Sequence, residues 1–513
     1  MPKFKPTSYS QGIFSPIFLC QQIQKGTFEY TLKVLIDEAL DLSAFYSRYR
    51  NEETGASAYD PRVLLKIIFL AYSRGVTSSR VISEFCQYNT LFMAMSGNSR
   101  PHYTTIARFV SSSHEEIKDL FLQVLLVCLQ RDLIGREMFA IDGCKLPSNA
   151  SKEWSGTIKE LRKKKEKLQI AIERIIDKHK QHDGSKTNAL CQESDEKYLK
   201  SLRRDVAKIS VFLETNEERI GLSGKPVKSN ITDNESAKMH TSKGVTQGYV
   251  GVAAVDSKYQ VIVNAEAFGQ GYEQDLLRPT IEDTRANFTA IGYQGDIFSS
   301  ARLTADNGYH SEDNLSYIYA ENIDAYIPDN KFRSRDPRFA DRDQHKEKVS
   351  NKKRSKTKKF TPDDFHFAED LSHCICPAGQ RLYRDGKNAK IKQYRAYKFK
   401  GAKSSCGPCT MREQCLRKPD VTEIRQVSYL LGKISNNSSS YTEKMKAKID
   451  TEVGRAIYGM RLAIGEPPFG NIRSNLRLDR FSLRGKEKVN SQWNLFCILH
   501  NMKKLHNYGG SFA

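Results

Sequence analysis

Three carboxylates, far apart in the sequence, are the side chains of this chain best suited to chemistry. Asp142 follows the apolar run 139–141, and Asp306 follows the run 303–305. Each has a glycine one or two residues further on, so we expect each to end a strand at the carboxyl edge of an α/β sheet, where open sheets bind ligands. Glu466 lies in a helix-like segment, YGMRLAIGEPPFG (458–470), which also carries basic and aromatic residues.

The spacing of these carboxylates gives them a common chemistry only if the fold brings them together. Two carboxylates at close range disfavour each other's ionisation, and a divalent cation removes that repulsion. Mg²⁺ takes oxygen ligands and retains waters, so a few carboxylates suffice. We therefore predict that Asp142, Asp306 and Glu466 bind Mg²⁺ or Mn²⁺, as a pair of ions suited to phosphodiester chemistry. The plain alternatives are Asp-Gly surface turns and a helix-end Glu466 paired with Arg461.

Basic and aromatic residues near these carboxylates indicate a nucleic-acid substrate. Tyr458, Arg461 and Arg473 flank Glu466. On a helix, positions 458, 461 and 465 share one side. A tyrosine can stack on a base or bond a phosphate, and an arginine can hold a phosphate with two hydrogen bonds.

The overall charge agrees with that substrate. The 513 residues have a formal net charge of +21, which favours polyanions, and the chain is long enough for two to four domains. An anionic membrane is the weaker alternative, because the longest apolar run, Leu120–Leu129, is about half of the ~20 residues that a span needs. Residues 1–20 contain no continuous apolar segment typical of a secretory signal. We therefore expect a cytoplasmic protein with no membrane partner.

The cysteines suggest a second metal site. Five of the eleven lie between Cys374 and Cys415, and six are scattered among apolar or helical residues. A C-x-x-C pair on a Gly-Pro turn is typical of a zinc knuckle. The set preferred for Zn²⁺ is Cys376, Cys406, Cys409 and Cys415; an iron–sulfur cluster and reduced structural thiols remain as alternatives.

The elements that position these residues follow from hydrophobic periodicity. Residues 1–135 read as short helices separated by polar turns. Pro61 should open a helix capped by Asp60, and the segment 101–109 should open another capped by Thr104 or Thr105. This region is either a helix-turn-helix cluster that contacts DNA or a plain helical bundle.

The rest of the chain predicts an α/β fold with two insertions. A short strand at 138–142 precedes two amphipathic helices (157–181 and 195–215) that form an antiparallel coil around a turn at 182–194. Next come a hairpin (249–255 and 260–267), a helix from 276, a strand at 301–305, a helix at 312–320 and a strand at 324–327, which together form a mixed sheet. A basic run, 352–359, reads as a mobile loop that either contacts phosphate or is only solvated. Helical patterns resume at 441–464 and 489–505.

Several further motifs occur in a consistent order along nearly the whole chain. They are YDPRVLLKIIFLAYSRG (59–75), PHYTTIARF (101–109), DGCK (142–145), NAS (149–151), NITDNES (230–236), GYVGVAAVDSKYQVIV (248–263), ADNGYHS (305–311), IDAYIP (323–328), EPPFGNIR (466–473) and RFSLRGKEKVNSQWNLFCILHNMKKL (480–505). In these motifs the chain resembles the DDE transposases of bacterial insertion sequences, within the RNase H-like superfamily. It looks most like the type eleven-eighty-two group.

The resemblance implies a set of roles. Asp142, Asp306 and Glu466 match the catalytic, metal-binding triad, and Tyr458, Arg461 and Arg473 resemble its DNA-binding positions. DNA contact is also assigned to His310, Thr104 and Arg108. Two features depart from the family pattern: four residues, rather than the commoner three, separate Arg461 from Glu466, and Arg473 stands where many relatives have lysine.

The resemblance also implies an organisation and a reaction. We expect a helical DNA-binding domain (1–135), an RNase H-like catalytic domain (136–328 and 426–507) with a coiled-coil insertion (150–230), and a basic, Cys-rich insertion (329–425). The implied partners are the element's terminal inverted repeats and target DNA, bound by a homodimer. The implied reaction is strand cleavage by activated water, followed by attack of the freed 3′-hydroxyl on target DNA. A catalytically silent DNA-binding descendant, a nuclease without strand transfer and a structural RNA-binding protein are the alternatives.

Overall fold

The computed structural model describes residues 18–49, 57–182, 189–220, 226–241, 244–339, 359–391, 394–433 and 440–510. The chain divides into two compact units, Met1–Arg335 with Tyr441–Ala513, and Asp336–Ser440. All of the predicted basic run except Lys359 lies outside the described residues. In the part that is described, no helix is both long and apolar enough to cross a membrane.

Most of the described chain is helical, and the helices are numbered in chain order. They are α1 (Phe28–Val34), α2 (Ser43–Tyr46), α3 (Pro61–Ser73), α4 (Ser79–Tyr88), α5 (Thr90–Met95), α6 (Tyr103–Ser112), α7 (His114–Gln130), α8 (Ile158–His182), α9 (Ala189–Thr215), α10 (Leu277–Ala290), α11 (Glu312–Ala320), α12 (Phe332–Arg335), α13 (Lys403–Cys406), α14 (Arg412–Cys415), α15 (Tyr441–Ile449), α16 (Glu452–Gly470) and α17 (Lys486–Tyr508).

The strands form one sheet in each unit and a short two-stranded ladder. They are β1 (Met138–Pro147), β2 (Ser155–Gly156), β3 (Ser229–Asn230), β4 (Ala237–Thr241), β5 (Gly244–Asp256), β6 (Ile262–Phe268), β7 (Arg302–Ala305), β8 (Asp324–Tyr326), β9 (His366–Phe367), β10 (His373–Ile375), β11 (Arg381–Ile391), β12 (Tyr394–Lys400) and β13 (Gln426–Lys433).

The sheet of the larger unit is mixed. Strands β1, β7 and β8 are parallel neighbours, whereas β5 runs antiparallel to β1 and to both β4 and β6. The hairpin predicted from the sequence is therefore confirmed as β5–β6. Buried Asp256 in its turn accepts the backbone N–H groups of Gly135, Arg136 and Lys258, which ties the hairpin to the chain entering β1.

The first strand is longer than its apolar run indicated. The sequence predicted that it ends at Asp142, and this is wrong: β1 continues to Pro147. Pairing with β7 stops at Ile141, but antiparallel pairing with β5 continues as far as Pro147 opposite Gly248. Polar residues can continue a strand where one neighbour still supplies hydrogen bonds, so the end of an apolar run does not mark the end of such a strand.

The helices of the N-terminal region begin largely where the sequence predicts. Asp60 caps α3 by accepting the N–H of Arg62, as expected. The predicted threonine cap of α6 is wrong, because His102 is the N-cap residue and its Nδ1 accepts the N–H of Thr104. The helix begins at Tyr103, two or three residues before the start that a cap at Thr104 or Thr105 implies, so Thr104 lies within its first turn.

Residues 489–502 of helix α17 are all buried despite their polar members. The side-chain amides of Asn490 and Asn501 each donate to and accept from the backbone of β6, at Ala267 and Ile262 respectively. These bonds occupy backbone groups along β6 that would otherwise lack partners. One continuous hydrophobic core joins the N-terminal helices, the sheet and α17.

The two predicted amphipathic helices form a helical hairpin. Helices α8 and α9 pack against each other, and Leu161, Ile209 and Phe212 form a small core of their own. The predicted turn was too long, because α8 extends to His182 and α9 begins at Ala189. Residues 183–188 lie outside the described part of the chain.

Candidate active site

The parallel pairing of β1 with β7 places two of the three predicted carboxylates side by side. Ile141 pairs with Ala305 in the last step of this ladder. Asp142 and Asp306 are the next residues on the two strands, so both follow the same pair. The structure thus brings together two aspartates that are far apart in the sequence.

A buried arginine on α16 bridges these aspartates. Arg461 Nη1 lies 2.9 Å from Asp142 Oδ2, and Nη2 lies 3.7 Å from Asp306 Oδ1. The Arg461 side chain is 6% exposed, against 19% for Asp142 and 38% for Asp306. One guanidinium therefore pairs with two neighbouring carboxylates and offsets one of their two negative charges.

The helix backbone reaches the same carboxylate directly. A Cβ built on Gly465 would lie 3.6 Å from the Cβ of Asp142, so this turn of α16 packs against the aspartate. Arg461 and Gly465 are four residues apart and share one helix face. Glu466 is rotated by about 100° from Gly465 and is exposed. The fourth residue between arginine and glutamate therefore occupies the face toward Asp142.

The two prolines after Glu466 do not end the helix. The sequence predicted a helix end here, whereas α16 continues through Pro467 and Pro468 to Gly470. Pro467 lacks the N–H that would reach the carbonyl of Ala463. The side chain of Gln260 donates to that carbonyl instead, at 3.1 Å. A side chain from the β5–β6 turn thus supplies one hydrogen bond that the helix lost.

A cavity of about 500 Å³ connects the third carboxylate with the first. Its lining includes Asp142, Glu466 and Arg473. Arg473 is exposed and lies in a π-helical turn, Asn471–Asn475, that continues α16. Glu466 and Arg473 therefore face the same open space as Asp142.

Burial dominates the electrostatics of the first aspartate. It raises the pKa of Asp142, and the nearby Asp306 raises it further. The guanidinium of Arg461 and the N–H of Gly143, 2.8 Å from Oδ1, lower that pKa but only partly offset burial. The carboxylate is thus under-compensated in the absence of a further cation.

Three neighbours of the carboxylates were not predicted. Tyr309 is fully buried beside Asp142 and Asp306, and its hydroxyl has no hydrogen-bond partner among the described residues. Lys145 pairs with Glu273 at 3.3 Å. Both Tyr309 and Lys145 lie in motifs that the sequence had singled out, ADNGYHS and DGCK. Glu273 had no such signal, because only the fold brings it here.

The close approach of Glu273 depends on a glycine. A Cβ on Gly308 would lie 2.0 Å from Glu273 Oε2, so a side chain at 308 would displace this glutamate. The glycine that seemed to mark only a turn after Asp306 therefore also makes room for a fourth acidic side chain near the site.

The remaining predicted DNA-binding residues differ in position. Tyr458 is half-buried, packs edge-on against Phe332 and lies on the same helix as Arg461. Thr104 and Arg108 are on the exposed face of α6. His310 is half-buried, and its Nε2 is enclosed without a hydrogen-bond partner in the described chain. Burial lowers the pKa of His310, which favours the neutral ring.

The donors at this site suit a hard divalent cation. Asp142 and Asp306 already share one positive charge, the Arg461 guanidinium, and the enclosed Tyr309 hydroxyl lacks a partner. Within the described ranges, no three histidine, cysteine, aspartate or glutamate side chains are already arranged as a metal-binding group. Mg²⁺ needs only one or two carboxylates, because waters and substrate phosphates complete its shell. The pair Asp142 and Asp306 fits that requirement.

The preferred cysteines also converge, in the smaller unit. Cys376, Cys406, Cys409 and Cys415 all line a cavity of about 30 Å³. Cys374 does not line it and is buried in the core of that unit.

Comparison with known proteins gives two matches and no curated relative. Residues 375–506 match the family described as a transposase DDE domain. Residues 18–112 match one described as a transposase domain. The first contains Arg461, Glu466 and Arg473, the second spans α1 to α6, and Asp142 and Asp306 lie outside both. No protein in the curated collection matches the chain. The two matches together indicate a DDE transposase of the insertion-sequence class.

Proposed function

We propose that this transposase cleaves DNA at the terminal inverted repeats of its insertion sequence and joins the freed 3′ end to target DNA. In this proposal Asp142, Asp306 and Glu466 are the catalytic carboxylates. The observation that carries it is the strand register that sets Asp142 beside Asp306, with both carboxylates on one guanidinium. Glu466 supports it by lining the cavity that Asp142 lines.

The strand order supports an RNase H-like catalytic domain. Along the sheet the order is β6, β5, β1, β7, β8, with three parallel strands on one side and an antiparallel pair on the other. Of these five strands, β1 is the first and β7 the fourth in chain order, and the two are neighbours in the sheet. Asp142 lies on β1, and Asp306 directly follows β7. Membership of the type eleven-eighty-two group remains a prediction from the motifs.

The carboxylates would hold Mg²⁺, or Mn²⁺. When bound, a pair of such ions activates the attacking oxygen and stabilises the leaving oxygen of a phosphodiester. Arg461 would leave the carboxylates and pair with a phosphate, for which its planar fork is suited. Exposed Arg473 would contact the backbone at the mouth of the cavity, and Tyr458 would stack on a base.

The N-terminal helices would supply the remaining DNA contacts. Thr104 and Arg108 face solvent on α6, whereas Ile106 and Phe109 of the same helix face the core. The net charge of +21 favours phosphate binding along the chain. We further propose that the protein acts as a homodimer, one copy at each end of the element.

The test is strand cleavage of a labelled duplex that carries the element's own end, with and without Mg²⁺. We expect nicking at the repeat boundary that falls by about 10²–10⁴-fold in Asp142→Asn and in Glu466→Gln, the range seen when one catalytic group is lost. Asp313→Asn and Glu487→Gln, both exposed at helix starts, are the matched controls.

Each other outcome identifies a different function. Binding without cleavage in the parent protein would favour a silent DNA-binding descendant. Cleavage without joined product when target DNA is present would favour a nuclease. Preference for RNA of the same sequence would favour an RNA-binding protein. Cleavage that survives in both carboxylate variants would refute the assigned triad.

A further inference from the structure

The smaller unit, Asp336–Ser440, has little apolar core to hold it together. Its described core cluster contains five buried side chains: Phe365, Cys374, Leu382, Phe399 and Val427. Units with so small a core generally require disulfides or a structural metal. None of the cysteines in the described ranges forms a disulfide. A different crosslink is therefore needed.

Four thiols from two separate segments face one cavity in this unit, although no three of these described thiols already stand in metal-binding positions. Cys376 follows β10, whereas Cys406, Cys409 and Cys415 come from α13, the turn after it and α14. All four line the cavity of about 30 Å³, which is too small for an organic ligand but sufficient for one ion. The fold therefore brings the turn between β10 and β11 against the α13–α14 segment at these sulfurs.

Local backbone geometry favours a metal-bound thiolate at the first of them. The N–H of Gln380 points at Cys376 Sγ at 3.3 Å, and the N–H of Gly379 donates to the Cys376 carbonyl at 2.8 Å. Gly379 has a φ of +74°, which glycine adopts without strain. The turn at Gly379 thus directs the Gln380 N–H at the Cys376 sulfur, where it stabilises negative charge.

A second glycine makes room for another sulfur. A Cβ on Gly401 would lie 2.6 Å from Cys406 Sγ, so only glycine leaves that thiol in place. Arg412 then fixes the loop, since its guanidinium donates to the carbonyls of Cys406, Pro419, Thr422 and Glu423. Arg412 and Arg425 also line the cavity, and their charges oppose the negative charge of a tetrathiolate site.

We propose that Cys376, Cys406, Cys409 and Cys415 bind one structural Zn²⁺ in a four-thiolate site. The thiols release their protons to solvent on binding, and the four sulfurs draw in to about 2.3 Å from the ion. Cys374 is excluded from the set, because it lies in the apolar core between Phe365 and Leu382 rather than at the cavity. This inference is independent of the DNA chemistry proposed above.

The test is elemental analysis of the full-length protein, expressed with zinc and dialysed against metal-free buffer. We expect about one zinc per chain in the parent and in Cys374→Ala, and little in Cys406→Ser or Cys409→Ser. Cys409→His is the decisive variant, because histidine is also a zinc ligand and should retain the metal that serine loses. If Cys409 were only a structural thiol, Cys409→His would contain no more zinc than Cys409→Ser.

Cobalt substitution gives a readout that does not depend on the variants. Cobalt-loaded parent protein should show sulfur-to-metal charge-transfer absorption and the intense visible bands of a tetrahedral site. The proposal is overturned if the parent contains no zinc, if it contains iron with sulfide instead, if Cys406→Ser retains the full zinc content, or if the cobalt spectrum is that of an octahedral, oxygen-liganded ion.

Discussion

The carboxylate site and the cysteine cluster are both groups of potential anions, yet the chain holds them together differently. Asp142 and Asp306 follow neighbouring parallel strands and are paired with one buried arginine. The four cysteines come from short loops of a unit with a small core, and the two arginines that line their cavity, Arg412 and Arg425, donate to backbone carbonyls. The first group is paired directly with its arginine, whereas the arginines near the second are held by the protein backbone.

This difference teaches what each metal would do. A site that is stable without metal, because Arg461 balances it, can release and rebind ions during a reaction. A site whose unit lacks any other strong crosslink uses its metal for folding. The larger unit needs no metal to fold, since its continuous core extends from the N-terminal helices to α17.

Removal of Mg²⁺ and removal of Zn²⁺ should have the largest effects, and the two effects should differ in kind. Dialysis that removes Mg²⁺ should abolish DNA cleavage, reversibly, without opening the unit Asp336–Ser440 to proteases. A zinc-selective chelator with Mg²⁺ still present should open that unit, because structural zinc contributes on the order of 10 kcal/mol of binding free energy. Limited proteolysis and the cleavage assay measure both. If the unit Asp336–Ser440 resisted proteases equally well before and after zinc chelation, its metal would have no role in folding.

Arg461→Ala should expose the role of the resident charge. Removing one partner of a buried ion pair leaves an uncompensated carboxylate, so the free energy of unfolding without metal should fall by about 3–5 kcal/mol. Mg²⁺ should then raise the Tm of the variant more than that of the parent. Arg473→Ala, an exposed arginine on the same cavity, is the control and should change neither quantity. If Mg²⁺ raised the Tm of parent and variant equally, Arg461 and the ion would not compete for the same position.

A second pair of carboxylates, held by a proton instead, sharpens the comparison. Burial and a hydrogen bond to Glu266 raise the pKa of Asp283 to about 7. Since the folded protein holds this proton more tightly than the unfolded chain, the stabilisation is complete below about pH 4 and is lost as the pH rises to about 7. Asp283→Asn should flatten this part of the stability profile, by about 1–2 kcal/mol after allowance for partial exposure. Urea unfolding at pH 5 and pH 8 measures the change in the free energy of unfolding between these two pH values. An identical change in parent and variant would refute the shared proton.

The last comparison concerns two buried tyrosines, one of which should show almost no effect. Tyr249 donates to Asp233 at 2.7 Å, whereas the Tyr309 hydroxyl beside the carboxylates has no partner among the described residues. Tyr249→Phe should therefore lower the free energy of unfolding by about 1–3 kcal/mol, and Tyr309→Phe should leave it within about 1 kcal/mol or raise it. Thermal denaturation without divalent cations compares them. If Tyr309→Phe lost as much free energy of unfolding as Tyr249→Phe, the Tyr309 hydroxyl would be hydrogen-bonded in solution.

The sequence by itself determined the local elements and the chemistry of single residues. Apolar periodicity located the β5–β6 hairpin, α11 and the two arms of the helical hairpin, because side-chain burial imposes that period. Residue type and motif context also singled out Asp142, Asp306, Glu466 and the cysteines, since few residue types bind metals. Helix caps and strand ends were less determined: a histidine, His102, caps α6 in place of a threonine, and pairing with β5 extends β1 to Pro147.

Only the tertiary structure decided which of these residues meet. The register of β1 on β7 sets Asp142 beside Asp306, and the packing of α16 puts Arg461 between them. Glu273 reaches the site through the space at Gly308, and Gln260 replaces the hydrogen bond missing at Pro467. Cys374 and Cys376 are two residues apart, yet Cys374 is buried in the core of the smaller unit, whereas Cys376 packs against that core and lines the cavity. Such contacts depend on register and packing between distant segments, which no local pattern encodes.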